Sequence, residues 1–202
     1  ILQNNFAGFA TNTAVIWSQN TTKPYKGFDK GRQWNMEVRD MERLRQQMPE
    51  LDVITPLLFG GRKTVVFGDK KFSGSTQGVN ADYAEVSAPK LFYGRYINEM
   101  DVKQQRKVCV IGEQIYKNLF PGGGDPCGKS LRVDSTYYTV VGVDYRSGNG
   151  VNFGGRADET ITLPQSVLRT AYNRGNAVDI IAVTGHQGVV MSSITDRMRS
   201  II

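Results

Sequence analysis

The residues best spaced for chemistry lie at 123–130, Gly-Gly-Asp-Pro-Cys-Gly-Lys-Ser, which satisfies G-x-x-x-x-G-K-[ST], the pattern of a phosphate-cradling P-loop. In an NTPase, Lys129 would lie on the β and γ phosphates and Ser130 on magnesium. That chemistry needs a strand entering the loop and a helix leaving it, because a helix N-terminus presents the amides that hold phosphate. Here the order is reversed. Residues 113–120 have helical spacing, whereas 130–143 are rich in β-branched and aromatic residues. The string therefore reads as a turn feeding a hairpin, and a P-loop NTPase stays as a remote alternative.

Other candidates are scattered. His186 is the one histidine, so a zinc site would need it together with both cysteines and a carboxylate, and no C-x-x-C spacing exists. A Ser or Cys nucleophile would need that same His as its base. Asp52, Asp82, Asp101 and Asp125 sit beside turns or helix ends, where capping accounts for them. No catalytic, cofactor-binding or metal-ligating constellation is expected. Cys109 lies in the apolar run KVCVIG and Cys127 in the loop before the hairpin. Either they are small buried hydrophobes, or in an oxidising compartment they bridge, closing a loop of about 19 residues and stabilising by about 3 kcal/mol.

The elements that would carry these residues alternate in type. Residues 11–19 read as a strand and 20–33 as a polar loop. Val38, Met41, Leu44 and Met48 recur at helical steps, with Asn35 as N-cap and Pro49 as stop. Strands follow at 51–67 and 71–80, joined by Gly68-Asp69. Residues 83–100 mix a helical turn with breaks at Pro89 and Gly94. Then come a strand at 107–112, a helix at 113–120, and strands at 131–133 and 137–143 about an Asp134-Ser135 turn. A Gly- and Asn-rich loop covers 147–155, followed by a strand at 160–163, a helix at 164–172, a strand at 179–184 and an amphipathic helix at 189–202. This alternation predicts an α+β (mixed α/β) fold.

Composition bounds the function without choosing it. Across 202 residues, 25 Lys+Arg stand against 19 Asp+Glu, giving +6, and 40% of residues are hydrophobic. Those values exclude collagen-like, disordered and disulfide-scaffold classes. The basic residues are interleaved with acids, so no nucleic-acid footprint is expected. No apolar run approaches the roughly 20 residues of a spanning helix. The chain opens at Ile1 without a Met, a basic n-region or a cleavage site, so it is expected to be a piece of a longer protein whose targeting lies elsewhere.

Residues 107–143 carry the most specific signal. An apolar strand ends in Gly112, a helix ends in Leu119-Phe120, a turn Asp125-Pro126-x-Gly128-Lys129 follows, and a strand closes in Val140-Val141-Gly142-Val143. Pro126 fixes φ, Gly128 allows a left-handed turn, and Gly142 permits close strand packing. This pattern resembles the periplasmic core domain of MacB-like ABC transporter permeases of the FtsX-like group. The helix near 35–48 and the following Leu-Asp-Val-Ile-Thr-Pro are similar to the family's first helix and strand. Cys109 and Cys127 depart from it, since an aliphatic residue is usual at both, and two such departures in one neighbourhood favour the bridge.

The resemblance implies a porter-like subdomain from residues 1–90 and 173–202, with an inserted Sabre-like subdomain from 91–172. It implies a non-catalytic domain on the periplasmic side of the inner membrane, between the first two membrane spans of a homodimeric permease. A cytoplasmic ATPase domain or subunit would drive it (mechanotransmission), and in efflux a periplasmic adaptor and outer-membrane channel would be partners. The alternatives on the same fold are lipoprotein extraction, peptide sensing or cell-wall hydrolase control, and on another a free-standing periplasmic binding protein. The long loop 144–159 offers Tyr145, Arg146, Phe153 and Arg156 as partner contacts, residue types favoured at interfaces.

Overall fold

The computed structural model describes residues 2–4, 12–17, 19–20, 33–34, 36–146, 153, 155–186 and 195–201. In chain order it begins β1 (Leu2–Asn4), β2 (Thr13–Trp17), β3 (Gln19–Asn20), β4 (Gln33–Trp34), β5 (Met36–Glu37), α1 (Val38–Gln47), β6 (Leu51–Phe67) and β7 (Lys70–Val79). It continues with α2 (Tyr83–Ser87), β8 (Leu91–Gly94), α3 (Glu99–Lys103), β9 (Val108–Gly112), α4 (Glu113–Leu119), β10 (Ser130–Val133) and β11 (Thr136–Asp144). A short 3₁₀ turn (Ala157–Glu159) leads into β12 (Thr160–Pro164), α5 (Gln165–Ala171), β13 (Ala177–Val178), β14 (Ile180–Gly185) and α6 (Thr195–Ile201). The mixed α+β class expected from the sequence is the fold observed.

Element ends differ where local chemistry decides them. α1 starts at Val38 rather than at Asn35: Glu37 takes the N-cap place, and Oδ2 of Asp40 accepts the Glu37 N–H at 2.8 Å. This is a reciprocal cap that spacing alone does not single out. Within 83–100 the breaks at Pro89 and Gly94 bracket a strand, β8, that the mixed pattern of that stretch does not announce. Residues 187–194, where the last helix was expected to begin, lie outside the described residues, as do 21–32 of the first loop.

One sheet organises the molecule, in the order β1-β2-β14-β6-β10-β11-β9-β12-β7, with β8 on β11 and β6 also paired to β7. The β6–β7 pairing closes a ring: β6, β10, β11, β9, β12 and β7 return to β6. β1, β2 and β14 form an open sheet hung from the other half of β6, and β3–β4 and β5–β13 are separate two-stranded pairs. Along Leu51–Leu57 that strand pairs with β14, and near its far end Val65 and Val66 pair with β10. β6 therefore runs through both halves, and at about 3.3 Å per residue its 17 residues span roughly 50 Å.

Three apolar clusters follow. Ala14, Ile16, Ile54, Ile181 and Val183 face α1 and α6, meeting Met41, Leu44 and Met198. Alternate residues of the same strands, Val15, Val53, Leu57, Ile180 and Ala182, point the other way onto Tyr83, Val86, Tyr96 and Ile97. The ring encloses Cys109, Ile111, Leu131, Val133, Tyr138, Val140 and Ile161, capped by Ile115 and Leu119 of α4. Side chains two residues apart on a strand share a face, so burying both faces demands the continuous apolar runs seen in β6 and β14.

Candidate functional site

Tyr145 leaves the end of β11 half-buried, held by its N–H donating to the Lys90 carbonyl at 2.8 Å. Its ring stacks on Phe92 at 4.6 Å and lies 6.2 Å from Tyr116. Phe92 also meets Tyr93 edge-on at 4.7 Å. Leu91 and Phe92 are 41% and 58% exposed, unusual for side chains of that size. β8 pairs with β11 on one edge, and among the described residues no strand pairs with the other. The result is an aromatic ridge beside an open strand edge. Sequence reasoning finds Tyr145 and misses Leu91, Phe92, Tyr93 and Tyr116, although the Leu-Phe-Tyr run between Pro89 and Gly94 is the signal.

Arg146 corrects an expectation. It is not an exposed contact but 9% exposed, with Nε donating to Oδ2 of Asp144 at 2.7 Å and Nη1 to the Ser87 carbonyl at 3.4 Å. Asp144 in turn accepts the N–H of Lys90 and of Arg146, both at 3.1 Å. Burial works against the Arg146 charge, but Asp144 outweighs it and holds the guanidinium above its ordinary range. The four groups clamp the strand leaving the ring to the segment that enters β8.

Phe153 is half-buried with its ring edge-on to Trp17 at 5.1 Å, so it packs on the open sheet. Arg156 is exposed and pairs with the buried Asp158 through Nε at 3.2 Å and Nη2 at 3.3 Å. Of the four loop residues, Arg156 is exposed, Tyr145 and Phe153 each keep part of their surface open, and Arg146 is buried. Residues 147–152 and 154 of that loop lie outside the described residues.

The P-loop spacing has the context expected of a false match: α4 precedes the string and β10 follows it. His186 is exposed, 4.0 Å from Asp52, and no cluster of metal-ligating side chains occurs among the described residues. A family model, the MacB-like periplasmic core domain, matches residues 2–201. The chain belongs to that family.

Relatives agree with this. The macrolide export ATP-binding/permease protein MacB of Syntrophobacter fumaroxidans is 24% identical over 99% of this chain, which spans 27% of that protein. MacB of Aggregatibacter actinomycetemcomitans is 27% identical over 98% of the chain, which spans 30% of it. The crystal structure of the periplasmic region of MacB from Actinobacillus actinomycetemcomitans superposes with a TM-score of 0.76 at 22% identity, covering 96% of this chain and 84% of that one. The extracellular domain of the noncanonic ABC-type transporter YknZ from Gram-positive bacteria gives 0.69 at 16% identity, covering 93% and 88%. Identities this low establish the fold.

In this MacB-like core domain the turn motif has a structural explanation. Oδ1 of Asp125 accepts the Cys127 N–H at 2.9 Å, which lowers the Asp125 carboxyl. Pro126 is buried, and its carbonyl accepts the exposed Lys129 N–H at 3.1 Å. Gly128 takes φ +91° and donates to the Val140 carbonyl at 2.8 Å, launching β10 alongside β11. Gly142 sits opposite Gly94, and a Cβ there would collide with the Arg95 carbonyl oxygen. Gly142 is therefore required for β8 to approach β11.

Cys109 is a buried free thiol and Cys127 a half-buried one. Cys109 lies beside Val140 on one edge of β11, while Gly128 bonds to Val140 on the other. Cys109 fills the ring core, and Cys127 packs against Gly94, where an added Cβ would stand 2.7 Å from its Sγ.

Proposed function

We propose that this domain is the moving extracytoplasmic part of a MacB-like ABC transporter permease and performs no bond chemistry itself. It stands on the periplasmic side of the inner membrane between the first two spans, paired with the same domain of a second protomer. ATP hydrolysis by a cytoplasmic ATPase domain or subunit moves the spans, and the paired domains open and close. In efflux that motion drives substrate toward a periplasmic adaptor and an outer-membrane channel.

The family match over residues 2–201 carries this reading. The long hairpin gives it a mechanical basis, because β6 is hydrogen-bonded into the open sheet at one end and the ring at the other. We assign the open sheet to the porter-like part (1–90 and 173–202) and most of the ring to the Sabre-like part (91–172), with β6–β7 shared between them. Tyr145, with Leu91 and Phe92 beside it and Arg156 on the neighbouring turn, forms the partner contact.

The test is a full transporter carrying Phe92→Ala and Tyr145→Ala together. Export is expected to fall while basal ATP hydrolysis and the melting temperature of the domain stay unchanged. Undiminished export would remove the aromatic ridge from the contact.

A further inference from the structure

Near the far end of β6 the register sets Lys71, Val66 and Arg132 in one row across β7, β6 and β10. Tyr137 continues the row on β11 and is 62% exposed. Cross-strand partners point to one face about 5 Å apart, so the two cations flank Val66 at roughly 10 Å between Cα atoms. The smaller Val66 side chain leaves a groove of about 210 Å³ between them, lined by Thr64, Val66, Lys71, Arg132 and Asp134.

The charges in this groove do not cancel. Among the described residues neither Lys71 nor Arg132 has an ion-pair or side-chain hydrogen-bond partner, and both are exposed. The one carboxylate in the lining, Asp134, is already engaged: Lys63 Nζ lies 3.8 Å from it and the Tyr172 hydroxyl donates to it at 3.0 Å. Lys63 is itself fixed over the Tyr172 ring, 4.9 Å from the centroid. Two unpaired cations and the Thr64 hydroxyl therefore converge on one hollow.

We propose that this groove binds a phosphate monoester group. Arg132 supplies a planar fork that takes two phosphate oxygens, Lys71 a point charge for the third, and Thr64 a hydroxyl donor. A dianion with three terminal oxygens satisfies both cations, whereas a single carboxylate satisfies one and leaves the other unmatched. A soluble phosphate ester and the phosphate of a lipid headgroup present the same chemistry. The site does not depend on the contact at Phe92.

The experiment has two arms. In the first, ¹H–¹⁵N spectra of the 202-residue chain are followed while glycerol 3-phosphate is added, against sodium chloride at matched ionic strength. In the second, the chain is sedimented with phosphatidylcholine vesicles with and without phosphatidic acid. A soluble-ester site gives saturable shifts centred on Thr64, Val66, Lys71 and Arg132 that chloride does not reproduce. A lipid site gives sedimentation that requires phosphatidic acid. In either case Arg132→Gln weakens binding by about tenfold or more at unchanged melting temperature, and Lys71→Gln gives the same readout should that variant fail to fold. Shifts that chloride reproduces, binding that survives both substitutions, or no binding in either arm would overturn the proposal.

Discussion

Asp144 and Arg146, two residues apart, form a buried ion pair at 2.7 Å in which the side chains are 7% and 10% exposed. A pair so far from water is costly to break, because the survivor is left charged and unmatched. Arg146→Ala is expected to destabilise the domain by about 3–5 kcal/mol. Asp144→Asn keeps an oxygen for the Lys90 and Arg146 N–H groups but leaves the guanidinium, which cannot shed its charge, without a counter-ion, so it is expected to cost at least as much. Urea unfolding of the two variants measures this, and an Arg146→Ala midpoint equal to the wild type would return Arg146 to the solvated loop.

The two glycines of the turn region separate steric from conformational cost. Gly142→Ala drives a methyl into the Arg95 carbonyl oxygen, whereas a methyl on Gly128 would meet no atom within 4 Å and would suffer only from the φ of +91°. Gly128→Ala is expected to cost about 1–2 kcal/mol, and Gly142→Ala more, with loss of the β8 pairing. Melting curves rank them, and the reverse order would contradict the close approach of β8 and β11.

Both thiols are expected to be slow to react in the folded domain. Burial pushes the Cys127 thiol up to about 11 and Cys109 higher still, so almost no thiolate exists near neutral pH. Without reductant, the unfolded chain should take two alkyl groups and the native chain should lag far behind. An unfolded chain that resists alkylation until reduced would show that a bridge does form.

Acid stability follows from Asp101. Burial alone would raise its carboxyl, but Arg95 at 2.6 and 3.2 Å, the Asn98 N–H at 3.0 Å and the charge of Arg106 outweigh that and lower it. The unfolded chain therefore takes up this proton first as pH falls. Its contribution is full above the ordinary carboxylate value near 4 and is lost as pH drops through the lower folded value. Asp101→Asn should melt lower at neutral pH yet lose less on acidification. Parallel pH profiles for the two proteins would contradict the assignment.

What could be read from the sequence was what local pattern determines. The run at 51–67 is β6 with the same ends, and the turn at Asp134-Ser135 joins β10 to β11. Ring closure could not be read, because β7 meets β12 through pairs such as Thr76 with Ile161, far apart in the chain and set by tertiary packing. Arg146 lies in a Gly-rich stretch that composition marks as solvated, and only the fold brings Ser87 against it and Lys90 against its partner Asp144. The ridge at Phe92 escapes because four residues between a proline and a glycine are too few to show a period.

In the proposed role, ATP-driven movement of the permease is carried by this domain. Spin labels placed at the exposed Tyr137 of both protomers in a full-length transporter would report it through their separation, measured without nucleotide and in a trapped ATP-bound state. Two distinct separations that interchange with nucleotide are expected. One separation, unchanged by ATP while hydrolysis proceeds, would contradict that role.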